Sequence, residues 1–201
     1  MRNYLIKIKN RKGFTGLEAA IVLIAFVTVA AIFSYVMLGA GFFTAQKGKQ
    51  SVDTGVKQAS SALELDGQYI YLRANQTGSN GDVKEIYFYV TLTAGGTPVD
   101  LNKTVLAIRW KGDYMQIRYD DKFNDTYPLW YYESIVGDRD NLVELHEKYK
   151  ITINITAIKN KYGVSYPEVN DPITIELKPP VGAPLIINKI IPPSLQPITY
   201  V

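Results

Sequence analysis

The sequence predicts an α+β fold, in which one long N-terminal hydrophobic helix is followed by an antiparallel β-sandwich. The first observation is that no charged residue lies between Ala19 and Gln46, whereas charged residues are scattered through the chain after that segment. The second is that apolar and polar residues alternate in short segments after residue 67, as expected for half-buried strands. We therefore divide the chain into a leader at 1–13, a helix at 14–66 and an outer domain at 67–201.

The leader is strongly basic. It carries five cations and no acid: Arg2, Lys7, Lys9, Arg11 and Lys12. A basic segment before a long apolar run is typical of a targeting or anchoring signal, and its charge predicts that the N-terminus stays in the cytoplasm while the C-terminal portion faces outward. Residues 14–201 hold the other 17 basic residues against 19 acidic ones. Because no basic stripe remains there, we do not expect nucleic acid as a partner.

The apolar run is longer than a membrane anchor requires. Residues 19–46 are 28 uncharged residues and would form about 42 Å of helix, against a hydrocarbon core of about 30 Å. Apolar residues cover all sides of this helix, so lipid or other helices must surround it. The pattern then changes to an amphipathic stripe formed by Val52, Val56, Ala59 and Leu63. The dipeptide Asp66-Gly67 is expected to end the helix.

A helix of this length and hydrophobicity has no predicted partner inside its own chain. We therefore infer that it packs against other copies of the same chain. A permanent single-pass membrane anchor is the alternative, because burying each large apolar side chain is worth about 1.5–3 kcal/mol. Assembly would have to exchange lipid for helix–helix contacts, which requires a driven extraction step.

Residues 68–201 predict an antiparallel, immunoglobulin-like (Ig-like) sandwich. Apolar residues alternate with polar or smaller ones, and turns rich in Gly, Asn, Asp and Pro separate the segments. The alternating apolar positions are Ile86, Phe88, Val90, Leu92, Leu106, Ile108, Trp110, Met115, Ile117, Tyr119, Ile151, Ile153, Ile155, Ile173, Ile175 and Leu177. Lys111-Gly112-Asp113 is expected to be a turn between two strands.

Three further features belong to the outer domain. Residues 139–148 are a candidate short helix. Six prolines follow residue 178, and this tail is expected to form an edge strand at Leu185–Ile191 and an extended end. The 15 tyrosines are expected to cover packing surfaces between subunits rather than to bind a ligand.

The N-terminal motif resembles a known family. The segment 11–27 reads R-K-G-F-T-G-L-E-A-A-I-V-L-I-A-F-V and resembles the class III signal peptide and helix start of the type IV pilin-like superfamily. Two later segments, Y-V-M-L-G-A-G-F-F-T-A-Q-K and S-S-A-L-E-L-D-G, are similar to archaeal flagellins, or archaellins. The resemblance covers residues 11–67, about a third of the chain.

The resemblance implies a maturation and assembly route. A prepilin peptidase would cut after Gly13 and leave Phe14 as the mature N-terminus. The precursor would lie in the cytoplasmic membrane, and an assembly ATPase with a membrane platform would build an extracellular filament from it. Other archaellins could join the same polymer, and the filament would act as a rotating propeller for swimming. An archaeal adhesion pilin and a membrane-tethered binding domain that never polymerises remain the alternatives.

Glu18 is the one charged residue near the start of the apolar run. A carboxylate in an apolar environment carries a penalty of several kcal/mol if it is unpaired. An acid in the first turns of a helix complements the macrodipole and the unsatisfied N–H groups. The resemblance implies a second, compatible role, in which Glu18 pairs with the α-amino group freed at Phe14 and registers subunits during assembly.

The outer domain contains four N-x-[ST] sequons, which are candidate N-glycosylation sites on an exported surface. They begin at Asn75, Asn102, Asn124 and Asn154. Asn75 lies in a polar loop, and Asn154 is expected in the middle of a strand on its polar face. Chance sequons in turns or strands are the alternative. Archaellins are often N-glycosylated, so the resemblance favours modification.

Catalytic and metal-binding motifs are missing from the sequence. It has no G-x-S-x-G, P-loop or H-E-x-x-H motif, no cysteine, and His146 as its one histidine. Two groups of acids, Asp120, Asp121 and Asp125 or Asp138 and Asp140, could hold a cation through oxygen ligands, but without EF-hand spacing. We interpret them as solvated turn acids, and we expect no enzyme activity, no resident metal and no cofactor other than glycans.

Overall fold

A computed structural model of the chain describes residues 16–60 and 62–201. The predicted leader at 1–13, the cleavage residue Gly13 and the new N-terminus Phe14 lie outside the described residues. The chain divides into two compact units, Met1–Val52 and Asp53–Val201.

The first element is a single α-helix, α1, which spans Gly16–Ser60. Its 45 residues correspond to about 68 Å at 1.5 Å per residue. Polar side chains within the apolar half bond to the helix's own backbone. The hydroxyl groups of Thr28 and Thr44 donate to the carbonyl oxygens of Ala25 and Ala40 at 2.9 Å, so neither hydroxyl requires an outside partner.

The helix ends earlier than the sequence pattern predicts. Leu63–Leu65, expected as its last turn, is a strand that pairs with Val90–Leu92. Leu63 is 4% exposed and belongs to the hydrophobic core, so burial in the outer domain outweighs the helical spacing that placed it in the amphipathic stripe. Gly67 does have a positive φ of 94°, but it lies in the turn after this strand and is not a helix cap.

The described part of the chain contains fourteen strands after α1. They are β1 (Leu63–Leu65), β2 (Tyr71–Gln76), β3 (Asp82–Leu92), β4 (Val99–Asp100), β5 (Val105–Trp110), β6 (Asp113–Arg118), β7 (Lys122–Phe123), β8 (Tyr127–Pro128), β9 (Trp130–Val136), β10 (Leu142–Val143), β11 (Lys148–Asn154), β12 (Pro172–Lys178), β13 (Leu185–Ile190) and β14 (Ile198–Tyr200). A second helix, α2, spans Ile155–Tyr162, and a 3-10 turn spans Leu101–Lys103.

Two main antiparallel sheets form the outer domain. One has the strand order β14-β2-β3-β11-β9, with β1 paired to the far end of β3, and the other has the order β13-β12-β5-β6. Their inner faces contribute to one hydrophobic cluster that includes Phe88, Trp110, Trp130 and Tyr149. The predicted fold class, a long hydrophobic helix followed by an antiparallel sandwich, is confirmed.

The hairpin between β5 and β6 follows the sequence prediction. Lys111 and Gly112 form its two-residue loop with φ values of 49° and 92°, and two successive positive φ values match the right-handed twist of the strands. The Lys111 ammonium lies 2.8 Å from a carboxylate oxygen of Glu168. Hydrogen bonding to Glu168 is the main cause of the raised pKa of Lys111.

Two predictions for residues 139–156 are wrong. Residues 139–148 do not form a helix but hold a turn, β10 and the start of β11, and positive φ values at Arg139 and His146 are incompatible with helix. Asn154 is not in mid-strand. It ends β11 and caps α2 by accepting a hydrogen bond from the Ala157 amide at 3.0 Å, so Ile155 begins the helix rather than continuing the alternation.

The C-terminal segment forms two edge strands. β13 pairs with β12 on one side, as predicted for Leu185–Ile191. Within the predicted extended end, Ile198–Tyr200 pairs with β2 and forms an edge of the larger sheet.

Candidate assembly surfaces

The surface of α1 is the largest apolar feature of the described residues. Every side chain from residue 16 to residue 58 is exposed, including Leu17 at 73%, Phe26 at 72% and Tyr35 at 80%. The segment Gly16–Gln58 is long and apolar enough to cross a membrane, with a mean hydropathy of 2.7 in its most apolar window. Soluble monomers rarely expose apolar patches above a few hundred Å². Lipid or other helices must therefore cover this surface.

Charged residues at the ends of α1 suit the helix dipole. Glu18 lies in the first turn and Lys57 in the last, so each charge opposes the partial charge of its terminus. The macrodipole role of Glu18 stays a prediction, because Gly16 is the first described residue of α1. The amine at Phe14, its other predicted partner, lies outside the described residues.

A row of tyrosines crosses the outer face of the larger sheet. Tyr200 pairs in register with Tyr71, and Tyr71 with Tyr87. Thr152 then pairs with both Tyr87 and Tyr131. Residues directly opposite each other on neighbouring strands share a face, so one row of side chains runs from the β14 edge to the β9 edge.

The tyrosine rings contact one another closely. Tyr71 and Tyr87 stack with centroids 4.9 Å apart and planes 5° from parallel. The Lys150 ammonium lies 4.9 Å from the centroid of the Tyr87 ring, within cation–π range. Burial is the largest cause of the raised pKa of Tyr87. Thr152, in the middle of the row, is fully buried.

The four sequon asparagines differ in exposure. Asn75, Asn102 and Asn124 are exposed, whereas Asn154 is half-buried. The Asn75 amide donates to Asp82 at 3.3 Å. The Oδ1 atom of Asn102 accepts a hydrogen bond of 2.7 Å from the Tyr132 hydroxyl, so this contact does not use Nδ2, the atom to which an N-linked glycan would be attached. Asn124 lies in the turn between β7 and β8 with φ of 51°.

One group of acids lies close together. Ligand oxygens of Asp138, Asp140 and Glu147 lie within 4.8 Å of one another, and Glu147, which is 8% exposed, was not part of the acid pair considered from the sequence. The carboxylate of Glu147 accepts hydrogen bonds from the amides of Asp138 and Glu144. Asp140 accepts one from Leu142. These carboxylates therefore bind the backbone of their own loop, as expected for turn acids.

Gly137 makes the approach of Glu147 possible. Its φ is 136°, and a Cβ atom at this position would lie 2.3 Å from a Glu147 carboxylate oxygen. A spacing rule could not have found this contact, because Glu147 lies beyond β10, immediately before β11. Asp120, Asp121 and Asp125 do not belong to a comparable group among residues 16–60 and 62–201. Asp121 instead accepts the Arg118 amide at 2.8 Å.

Comparisons with known proteins agree with this architecture. Residues 13–189 match the archaeal-type flagellin family. The chain is similar to probable flagellin 2 of Archaeoglobus fulgidus, with 57% identity over 199 residues and 96% of each chain covered. It is also similar to probable flagellin 1 of the same organism, with 45% identity over 94% of each chain.

Solved structures give the same result. The structure of the archaeal flagellum of Methanospirillum hungatei resembles this chain with a TM-score of 0.68 and 34% identity, over 90% of this chain and 96% of that one. The crystal structure of flagellin FlaB1 from Methanocaldococcus jannaschii shares the fold, with a TM-score of 0.55 at 18% identity, over 70% of this chain and 96% of that one.

Proposed function

The chain belongs to the archaeal-type flagellin family, and from this premise we propose that it polymerises through α1 into the filament of an archaeal flagellum, which rotates as a propeller. The chain is a structural filament subunit for motility, and its role is mechanical. Self-association is its main interaction, and other archaellins are possible members of the same polymer.

The observation that carries this proposal is the exposed apolar surface of α1. A helix that is apolar on all sides is stable in lipid or within a bundle of similar helices. Both environments occur in turn along the proposed route. The precursor spans the cytoplasmic membrane with its basic N-terminus inside, and the assembled filament buries the same surface among neighbouring copies.

Maturation precedes assembly on this route. The prepilin peptidase cuts after Gly13, and Phe14 becomes the N-terminus. The five leader cations are removed, so no basic tail accompanies the helix into the filament core. Because a large apolar surface does not leave a bilayer spontaneously, an ATPase and a membrane platform are proposed to drive the transfer from lipid to filament.

Glu18 is proposed to pair with the Phe14 α-amine of a neighbouring subunit, since an amine with a pKa near 8 is largely cationic at neutral pH. The variant Glu18→Gln keeps the shape of the side chain and removes its charge. We expect mature protein to accumulate in the membrane while filament number falls at least about tenfold, as loss of roughly 1.4 kcal/mol would produce. Immunoblots of membrane and filament fractions measure both.

The variant Glu18→Asp keeps the charge and is the matched control, for which we expect an intermediate filament yield. Equal yields from Glu18→Gln and the unaltered chain would show that the carboxylate has no part in assembly.

Asn75, Asn102, Asn124 and Asn154 are proposed to carry N-linked glycans. The exposure of the first three supports modification, and the capping role of Asn154 makes it the least accessible of the four. Mass spectrometry of peptides from native filaments identifies the modified residues.

A deletion strain separates the proposed function from its rivals. We expect it to lose both surface filaments and swimming, with recovery when the gene is restored. An adhesion pilin would instead leave swimming intact and reduce attachment to surfaces. A membrane-tethered domain would leave filaments unchanged, and its leader would remain uncut.

A further inference from the structure

Two exposed apolar patches lie at opposite edges of the same face of the larger sheet. The β14 edge patch consists of Tyr69, Ile198 and Tyr200, which are 51%, 49% and 66% exposed. The β9 edge patch consists of Ile135 and Val136, which are 51% and 52% exposed. Four inter-strand spacings separate the two edges, which corresponds to about 19 Å.

The β14 edge patch is an ordered surface. The rings of Tyr69 and Tyr200 meet edge to face with centroids 5.3 Å apart. Ile198 and Tyr200 are two residues apart on one strand, so both project from the same face. This is the face of the sheet that carries the tyrosine row, because Tyr200 pairs with Tyr71 and Tyr71 pairs with Tyr87.

A β-bulge creates the β9 edge patch. Lys148 pairs with Val136 and Tyr149 with Ser134, so Ile135 has no residue opposite it. A bulge interrupts the alternation of a strand, and both Ile135 and Val136 become exposed as a result. The bulge also disturbs the free backbone edge of β9, which disfavours addition of another strand. Side chains, rather than backbone hydrogen bonds, are therefore the contact that this edge offers.

The balance of charge differs between the two patches. Residues 133–147 at the β9 edge contain five carboxylates and one arginine, and Glu133, Asp138, Asp140 and Glu144 are exposed. Lys148 and Lys150 of β11 lie beside this edge and pair with Asp66 and Glu133, so carboxylates still outnumber cations there. Arg73 lies opposite Ile198 in register, and its guanidinium is 3.3 Å from a Glu85 carboxylate oxygen. Lys189 belongs to β13, but its ammonium reaches the β14 edge patch by donating to the Gln68 carbonyl at 2.9 Å. The side chains of residues 179–201 include no carboxylate. Contact between two β9 edges would bring acid against acid, whereas contact between unlike edges brings acid against base.

We propose that the β14 edge patch of one subunit docks on the β9 edge patch of the next, in a head-to-tail contact between outer domains of the filament. Two different patches on one molecule form a heterologous interface, and such an interface extends without limit when its rotation does not close a ring. This inference rests on the proposed filament function. It adds that the outer domains form a continuous contact of their own beside the helix contacts.

The absence of cysteine permits a direct test by cross-linking. Filaments are prepared from cells that produce the double variant Ile198→Cys/Val136→Cys, treated with a bis-maleimide, and analysed on a denaturing gel. We expect a ladder of dimers, trimers and longer products, because each subunit can be joined to two neighbours. Each single variant should remain monomeric, since like edges do not meet.

The control pair is Ile186→Cys/Val136→Cys. Ile186 is 54% exposed but belongs to β13 in the other sheet, so this pair should give no ladder. Monomers alone from intact filaments of the Ile198→Cys/Val136→Cys variant would overturn the proposal. Dimers from either single variant, or an equal ladder from the control pair, would overturn it as well. If the unaltered chain forms no filaments, the proposed function itself fails, which is a different result.

Failure of the double variant to assemble is also informative. The two single variants are then co-expressed, and mixed filaments should yield dimers that contain one copy of each, whereas monomers alone would contradict the contact. If neither single variant assembles although its unfolding temperature equals that of the unaltered chain, the exposed patches are required between subunits, as proposed. A lowered unfolding temperature would show that these side chains stabilise the subunit itself, and it would contradict the docking role.

Discussion

Asn154 illustrates how one side chain can fit two different roles at the residue scale. Its sequon makes it a candidate for glycosylation, yet its Oδ1 atom accepts a hydrogen bond of 3.0 Å from the Ala157 amide and caps α2. The capped helix buries Ile155, Ala157 and Ile158, so the cap connects a surface residue to the core. The same asparagine was predicted in mid-strand, since alternation alone cannot indicate where a strand ends and a cap begins.

Two substitutions separate these roles of Asn154. Asn154→Ala removes the cap and should lower the free energy of unfolding by about 1 kcal/mol. Asn154→Asp removes the sequon but retains a good capping group, so its stability should match that of the unaltered chain. Thermal unfolding followed by circular dichroism measures the difference. Equal losses from both variants would indicate that a lost glycan, and not a lost cap, is responsible.

The burial of Tyr149 leads us to expect a loss of stability at alkaline pH. The side chain is fully buried, and burial raises its pKa to about 12. Because the folded pKa lies above the ordinary value of 10.0, the neutral phenol stabilises the fold fully below pH 10. That contribution declines as the pH rises toward about 12. Burial also raises the pKa of Tyr132, which adds to the same trend.

The variant Tyr149→Phe tests the alkaline effect. It loses the hydrogen bond from the hydroxyl to the Asp140 carbonyl, so its unfolding temperature should be lower at neutral pH by the equivalent of about 1 kcal/mol. Above pH 10 its unfolding temperature should fall less steeply than that of the unaltered chain. Parallel curves for the two chains across the alkaline range would exclude Tyr149 as a source of the pH dependence.

At the scale of elements, α1 and the strands differ in how well their ends could be predicted. The 28-residue uncharged run specified the existence and the character of the helix, because length and hydrophobicity are properties of the segment itself. The position at which α1 ends could not be predicted in this way, because it depends on a strand that is distant in sequence. Leu63 continues the helical spacing but pairs with Leu92 in β3, and no local sequence pattern predicts that pairing.

A charge placed in the apolar half of α1 should block assembly. Val36, which is 61% exposed, would be buried among neighbouring helices, where an unpaired carboxylate costs several kcal/mol. Val36→Asp should therefore reduce filaments to below about 1% of the normal number, since roughly 3 kcal/mol corresponds to more than a hundredfold. Electron microscopy counts the filaments, and immunoblots verify that the chain is present.

Val36→Thr is the matched control for this charge. Threonine has nearly the same shape as valine, and its hydroxyl can bond to the helix backbone as Thr28 and Thr44 do. We expect near-normal filaments from it. Normal filaments from Val36→Asp would mean that this side of the helix remains in contact with water.

At the scale of the whole molecule, the alternation of apolar and polar residues predicted the fold class. The composition of the sheet surfaces depends instead on which strands are neighbours. Ile86, Phe88 and Val90 alternate in sequence and are fully buried in the structure. The tyrosine row could not have been predicted, because its members lie on strands that are distant in sequence and adjacent only in the sheet. The group formed by Asp138, Asp140 and Glu147 depends instead on the turn at Gly137, which lets Glu147 accept a hydrogen bond from the Asp138 amide.

The central claim is that the apolar helix passes from lipid into a filament core after its basic leader has been removed. Intact-mass and N-terminal analysis of the subunit in sheared surface filaments tests it most directly. We expect the filaments to contain this chain beginning at Phe14, with no trace of residues 1–13. A chain that still begins at Met1, found dispersed in the cytoplasmic membrane and missing from the filaments, would contradict the account.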